Sequence, residues 1–311
     1  MSILLLLSLC GCEAGKPENP LVGIAWRGDL NAGSYLHTVL AIEQAGGTPV
    51  LLNQVLADDL TYNEKNVLTG CTDAVGALSL DAAKQIKEST WRCSNAKSVM
   101  KGISAVVFTG GEDISPSLYR EPEDWHGIFE EINYNATRDV SDYLLMRYCL
   151  DNDIPTLGIC RGMQMMAVAA GAEMIQDIPA WFASQGKIYD HMHRYVPGTP
   201  EPQRDYVSHD VTVVTGSMAY EMVGTQQLTG CPSLHHQAVR SIEDTGFVVT
   251  GTTKVCGEEM IEIIEHPDKT FFMGLQFHPE AAVGKNAENV SDFMSSDMAL
   301  AFFMGLLKTA E

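Results

Sequence analysis

Four short runs with almost no polar residues, Leu21 to Trp26, Pro49 to Leu52, Ala105 to Phe108 and Pro155 to Ile159, do most to limit what this chain can fold into. A run of four to six apolar residues bounded by turn formers reads as a strand covered on both faces, and such strands belong to parallel sheets. Helix-period sequence stands between them. Tyr35, Leu36, Val39, Leu40 and Ile42 share one helical side before Gly46-Gly47, and Val140, Tyr143, Leu144 and Leu145 with Tyr148 make an amphipathic helix before Pro155. Met163 to Ala170 is helix-prone and ends at Gly171. Alternation of this kind predicts a mostly parallel, doubly wound α/β sheet. The C-terminal third has a different rhythm. Asp210 to Val214, Gly246 to Thr250, Met260 to Ile264 and Phe271 to Phe277 follow one another as short strands and predict a small antiparallel extension, closed by a helix over Ser291 to Leu307. Residues 57–100 show no clear element order and read as an insertion at the sheet's edge.

The chain of 311 residues can bury a full core, and residues 21–311 read as one domain behind a segment of 1–20. Forty acidic against twenty basic residues give a net charge of -20, which repels phosphate backbones, so no nucleic acid partner is expected. Ile3 to Leu9 is apolar but too short to span a bilayer; its length fits the core of a signal peptide. Leu9-Cys10-Gly11-Cys12 resembles a bacterial lipoprotein cleavage box. On that reading Cys12 carries lipid and tethers the protein to a membrane facing the periplasm; the alternative is a cytoplasmic protein.

Eight cysteines then divide by role. With Cys10 removed, Cys12 lipidated, Cys149 in a helix core and Cys160 reserved for chemistry, Cys71, Cys93, Cys231 and Cys256 remain. In an oxidising compartment the sequence-local pairs are Cys71 with Cys93 and Cys231 with Cys256; in a reducing one all four are small buried apolar residues.

Gly158-Ile159-Cys160-Arg161-Gly162 joins a predicted strand to a predicted helix. A side chain held on so sharp a turn needs small neighbours, and the helix N-terminus supplies N–H groups and a positive dipole end that favour a thiolate. At the end of the last strand stands Gln276-Phe277-His278-Pro279-Glu280. In extended chain, residues two apart face the same way, so His278 and Glu280 are expected to point together toward the site. An imidazole that moves a proton, backed by a carboxylate that fixes its tautomer, is the partner a cysteine nucleophile requires.

These two blocks, with Thr109-Gly110-Gly111-Glu112-Asp113-Ile114-Ser115-Pro116 and Tyr119, Arg138-Asp139 and Ser233-Leu234-His235-His236-Gln237, resemble the gamma-glutamyl-gamma-aminobutyrate hydrolase family. The likeness runs in order from about Leu21 to the C-terminus, outside residues 57–100. It implies the flavodoxin-like, class I glutamine amidotransferase-like fold and a Cys160, His278, Glu280 triad that cuts a small gamma-glutamyl amide through a thioester. It further implies Gly111 and Arg161 as main-chain donors of an oxyanion hole, and Gly110, Gln164 and His235 on the substrate. Pro232 stands where the family usually has Asn.

The resemblance implies no cofactor and no metal. His191, His193, His209 and the His235-His236 pair could be imagined as a metal cluster, but a thiolate mechanism has no use for one. Gly110-Gly111 lacks the Gly-x-x-x-x-Gly-Lys of a nucleotide loop. Two rivals stand beside the hydrolase: a glutaminase subunit that hands ammonia to a synthase, and a silent tethered binding protein.

Overall fold

The computed structural model describes residues 19–30, 32–122, 132–189, 206–287 and 293–310. The four apolar runs are strands: β1 (Leu21–Ile24), β2 (Thr48–Leu51), β3 (Ala105–Phe108) and β4 (Thr156–Ile159). Between them lie α1 (Gly33–Gln44), the short α2 (Leu80–Ser89) and α3 (Ala96–Val99), and α4 (Ala136–Asp151); α5 (Arg161–Ala169) follows β4. Side chains alternate across the sheet along β3. Val106 and Phe108 enter one core with α4 and α5, while Ala105 and Val107 enter the other with α1. Burial on both faces is what makes these strands apolar throughout, at about 1.5–3 kcal/mol for each fully buried large aliphatic or Phe side chain.

After α5 come β5 (Glu173–Ile175), α6 (Ile178–Ser184), β6 (Val207–Val213), α7 (Met218–Val223), β7 (Gln227–Ser233), β8 (Ala238–Ser241), β9 (Val248–Val255), β10 (Glu258–Glu265) and β11 (Phe272–Leu275), then α8 (Pro279–Ala287) and α9 (Ser296–Lys308). One sheet of nine strands runs in the order β2-β1-β3-β4-β11-β10-β9-β6-β7, and β5 pairs with β8 apart from it. The doubly wound α/β sheet with an antiparallel extension is therefore present.

Several details differ from the sequence-based expectation. Phe271 to Phe277 does not belong to the antiparallel part alone: β11 lies parallel to β4 and antiparallel to β10, and so joins the two halves. The closing helix is α9 (Ser296–Lys308), and a further helix not expected from the sequence, α8, precedes it and begins directly on the His-Pro-Glu block. Residues 57–100 are not an appendage at the sheet's edge. They are the crossover from β2 to β3, and Leu68, Leu78, Ala82, Ala83, Ile86, Ala96 and Met100 pack in the same core as α4. Side chains outside the segment satisfy its main chain: the Thr137 hydroxyl accepts from Leu68 N–H at 3.0 Å and the Ser115 hydroxyl from Leu78 N–H at 2.8 Å. Before α2 its turns close on single bridges, Tyr62 with Leu68 and Thr72 with Leu78, so that part has no stretch long enough to show a period.

Neither predicted disulfide is formed in the structure, where Cys71, Cys93, Cys231 and Cys256 are free thiols. Cys231 is wholly buried in the core beneath α9, whereas Cys256 lies at the β9–β10 turn against a separate small cluster. Cys71 packs on the α4 core and Cys93 is exposed. Cys12 and the leader lie outside the described residues. No helix among those described is long and apolar enough to cross a membrane.

Candidate active site

Cys160 occupies the turn between β4 and α5 with φ 52° and ψ -108°, a conformation rarely taken by a residue with a side chain. Two close approaches hold it there. A Cβ on Gly162 would lie 2.3 Å from the Phe108 carbonyl oxygen, and one on Gly158 would lie 2.7 Å from the Gly162 carbonyl carbon. Only glycine lets the first turn of α5 settle onto β3 and β4 this closely. The parallel register sets Ile159 beside Leu275, and the Cys160 N–H donates to the Leu275 carbonyl at 2.7 Å. Cys160 and His278 consequently leave the same end of neighbouring strands.

His278 follows β11 and stands just before Pro279, the first residue of α8. Its pairing with Glu280 therefore arises at a strand-to-helix turn and not along extended chain. Pro279 suits the first helical position, where an N–H has no intrahelical partner. Glu280, in the first turn of the helix and fully buried, accepts a 2.6 Å hydrogen bond from His278 Nδ1. That bond fixes the proton on Nδ1 of the neutral ring and leaves Nε2 for chemistry. Burial opposes a charge on His278, but Glu280, with Tyr206 and Cys160 nearby, outweighs it and pushes the imidazole pKa well above its ordinary value. The Tyr206 ring meets the imidazole edge-on at 5.0 Å.

Gly110 lies against both residues: a Cβ there would be 2.6 Å from His278 Cε1 and 3.6 Å from Cys160 Cβ. Gly111 takes φ 150°, and its absent Cβ would lie 2.0 Å from Arg138 Nη1. Neither the Gly111 nor the Arg161 main-chain N–H has a hydrogen-bond acceptor among the described residues. A cavity of about 390 Å³ opens here, lined by Cys160, His278, Gly111, Tyr206 and Leu234 together with Ser34, His37 and Lys285.

The other predicted substrate residues are placed differently. Gln164 is buried in the first turn of α5, where its amide donates to the Gln237 carbonyl at 3.1 Å and to Gln276 Oε1 at 3.2 Å. His235 is buried too, with Nδ1 2.7 Å from the Gln237 carbonyl and Nε2 4.0 Å from Glu262. Neither is among the residues that line the cavity. His209 Nε2 lies 3.2 Å from Glu262, while His236 is held between Asp113 at 2.9 Å and Asp177 at 3.2 Å. His191 and His193 lie outside the described residues, and among those described no His, Cys, Asp and Glu group is arranged to hold a metal.

Beneath the glycines runs a buried charged network. Arg138 donates to Glu112 at 2.6 Å, to Asp142 at 3.2 Å, and to the carbonyls of Thr109 and Gly110 at 3.1 Å each. Arg161 donates to Asp139 at 2.6 Å and also to Asp142. Burial opposes ionisation of Glu112, but the two guanidinium groups hold its carboxyl well below the usual range. The sequence offered only the i, i+4 spacing of Arg138 and Asp142 as a signal for this network, and that spacing is equally common on exposed helix faces.

The Peptidase C26 family model matches residues 82–280, a span that takes in the Gly110-Gly111 loop, Cys160, His278 and Glu280. The protein NtpR of Enterococcus hirae is 29% identical over 200 residues, covering 62% of this chain and 73% of its own. The gamma-glutamyl-gamma-aminobutyrate hydrolase of Escherichia coli O157:H7 is 27% identical over 168 residues, 54% of this chain and 60% of that protein. The CTP synthase of Pyrococcus abyssi is 27% identical over 255 residues, 74% of this chain but only 42% of the synthase. The chain belongs to the Peptidase C26 family and carries its class I glutamine amidotransferase-like fold.

Proposed function

We propose that this protein hydrolyses the gamma-amide bond of a small gamma-glutamyl compound, releasing glutamate and an amine. The observation that carries the proposal is a positive-φ cysteine on a strand-to-helix turn that shares one cavity with a histidine bound at 2.6 Å to a buried carboxylate. Cys160, as thiolate, adds to the amide carbon. The oxyanion takes the Gly111 and Arg161 N–H groups, which have no other acceptor among the described residues. His278, held protonated by Glu280, gives its proton to the departing amine as the carbon–nitrogen bond breaks. The thioester remains. Water then adds to it while the same imidazole takes a proton, and glutamate leaves as the sulfur–carbon bond breaks.

The leaving amine would occupy the same cavity, which Ser34, His37 and Lys285 also line. Likeness to a CTP synthase supports one rival, a glutaminase whose amine is ammonia. A panel of gamma-glutamyl amides, glutamine included, assayed for both products decides between them. Turnover of gamma-glutamyl amines well above that of glutamine is expected. Turnover of glutamine alone moves the assignment to a glutaminase, and no turnover of any member removes it.

A further inference from the structure

Arg138 is wholly buried on α4 and makes more polar contacts than the neutralisation of Glu112 requires. Its Nη2 donates to the carbonyl oxygens of Thr109 and Gly110, each at 3.1 Å, and to the Thr109 hydroxyl at 3.2 Å. The Gly110 carbonyl and the Gly111 N–H belong to one planar peptide unit. In a trans peptide these groups point in opposite directions, so a donor that holds the carbonyl on one side aims the N–H to the other. Gly111 is also free to turn about this peptide, since it carries no Cβ to limit φ. Something outside the loop has to choose its orientation. Arg138 is in turn held by Asp142, whose Oδ2 accepts from Arg138 Nε at 3.2 Å and from Arg161 Nη1. The residue that follows Cys160 and the residue that clamps the glycine loop therefore meet on one carboxylate oxygen.

We propose that Arg138, braced by Asp142, is a positioning residue that fixes the Gly110–Gly111 peptide with its N–H toward Cys160 and sets its distance from the Arg161 N–H. The inference rests on the reading of Cys160 as nucleophile with those two N–H groups as oxyanion donors. It goes beyond that reading in assigning a device that keeps the donors formed in the absence of substrate. A purely structural ion-pair network would stabilise the domain without choosing between reactions at Cys160.

The test uses two reagents on the same sulfur in the full-length protein. p-Nitrophenyl acetate acylates Cys160 through a tetrahedral oxyanion, expelling p-nitrophenolate. Iodoacetamide alkylates it by direct displacement of iodide, with no oxyanion formed. Both rates are read by mass spectrometry of the Cys160 peptide. In Arg138→Lys, which keeps the charge but loses the fork, the ratio of acylation to alkylation should fall about tenfold or more, short of the roughly 10²- to 10³-fold for outright loss of a donor. Alkylation itself should stay within about threefold. Asp142→Asn should move the ratio in the same direction by less, and it serves as the measurement should the lysine variant fail to fold. An unchanged ratio in a folded variant overturns the proposal. If Cys160 of the wild type reacts with neither reagent, the nucleophile assignment falls first and takes this inference with it.

Discussion

Cys160 and His278 leave adjacent parallel strands, β4 and β11, yet the walls behind them are made of different material. Behind the cysteine stand five ionisable side chains, Glu112, Arg138, Asp139, Asp142 and Arg161, locked to one another and to the glycine loop. Against the histidine stands the carboxylate of Glu280, fully buried like Phe277, Ala281 and Ala282 beside it in the chain. The first wall fixes main-chain geometry, for which many weak constraints on several peptide planes are needed. The second fixes the charge on one ring, for which one short hydrogen bond in a low-dielectric setting suffices. Damage to the two sides should therefore look different.

The largest effect belongs to the reacting groups. Cys160→Ala should lower turnover by about 10⁴-fold or more, and His278→Ala nearly as much, because groups that act as a unit fail together. Glu280→Gln should cost less, about 10- to 100-fold, since it supports the proton transfer without performing it. Steady-state kcat on the best gamma-glutamyl amide measures all three, and a larger loss for Glu280→Gln than for His278→Ala would erase the distinction between acting and supporting.

A stability measurement addresses the cysteine wall next. Gly162→Ala places a methyl 2.3 Å from the Phe108 carbonyl oxygen, a backbone atom that cannot swing aside. Urea unfolding should show a loss of about 2–3 kcal/mol, as for overpacked cores. A neutral result would mean that α5 can shift away from β3 without cost.

The histidine wall is better probed by pH. The folded His278 pKa lies above its ordinary value of 6.5. Its charge thus contributes stability that is fully present below that value and is lost as pH rises through the folded pKa. Glu280→Gln removes the largest influence opposing burial, so the pKa should fall and this contribution should shrink. Imidazole NMR titration with unfolding at several pH values reads both, and an unmoved pKa would take Glu280 out of its assigned role. The smallest effect is expected at the cavity rim, where Lys285→Ala should raise KM about two- to fivefold with kcat nearly unchanged, in the range of a solvent-screened ion pair. A fall in kcat of the same size would place Lys285 closer to the reaction than the rim.

Much of this molecule is legible in its sequence. The apolar runs gave β1 to β4 because strands buried on both faces leave a composition signal needing no partner to interpret. The Gly-x-Cys-x-Gly elbow and the His-Pro-Glu block were legible because each is local, confined to five consecutive residues and dictated by one turn. Gln164 and His235 were assigned to substrate by resemblance; what no local pattern could give is that the fold buries both and sets each against the Gln237 carbonyl.

What sequence alone determined, then, were the elements whose physical cause lies within one short stretch: the strands, the elbow, and the histidine with its carboxylate two residues on. Tertiary structure decided the rest. That β11 runs parallel to β4 depends on register between segments more than a hundred residues apart. Residues 57–100 became crossover and core because Thr137 and Ser115 supply acceptors for their main chain. The joining of Arg138 and Arg161 on one Asp142 oxygen required α4 and α5 to pack side by side, and burial, which turns those charges from solvated surface into a rigid brace, belongs to no residue until the chain has closed around it.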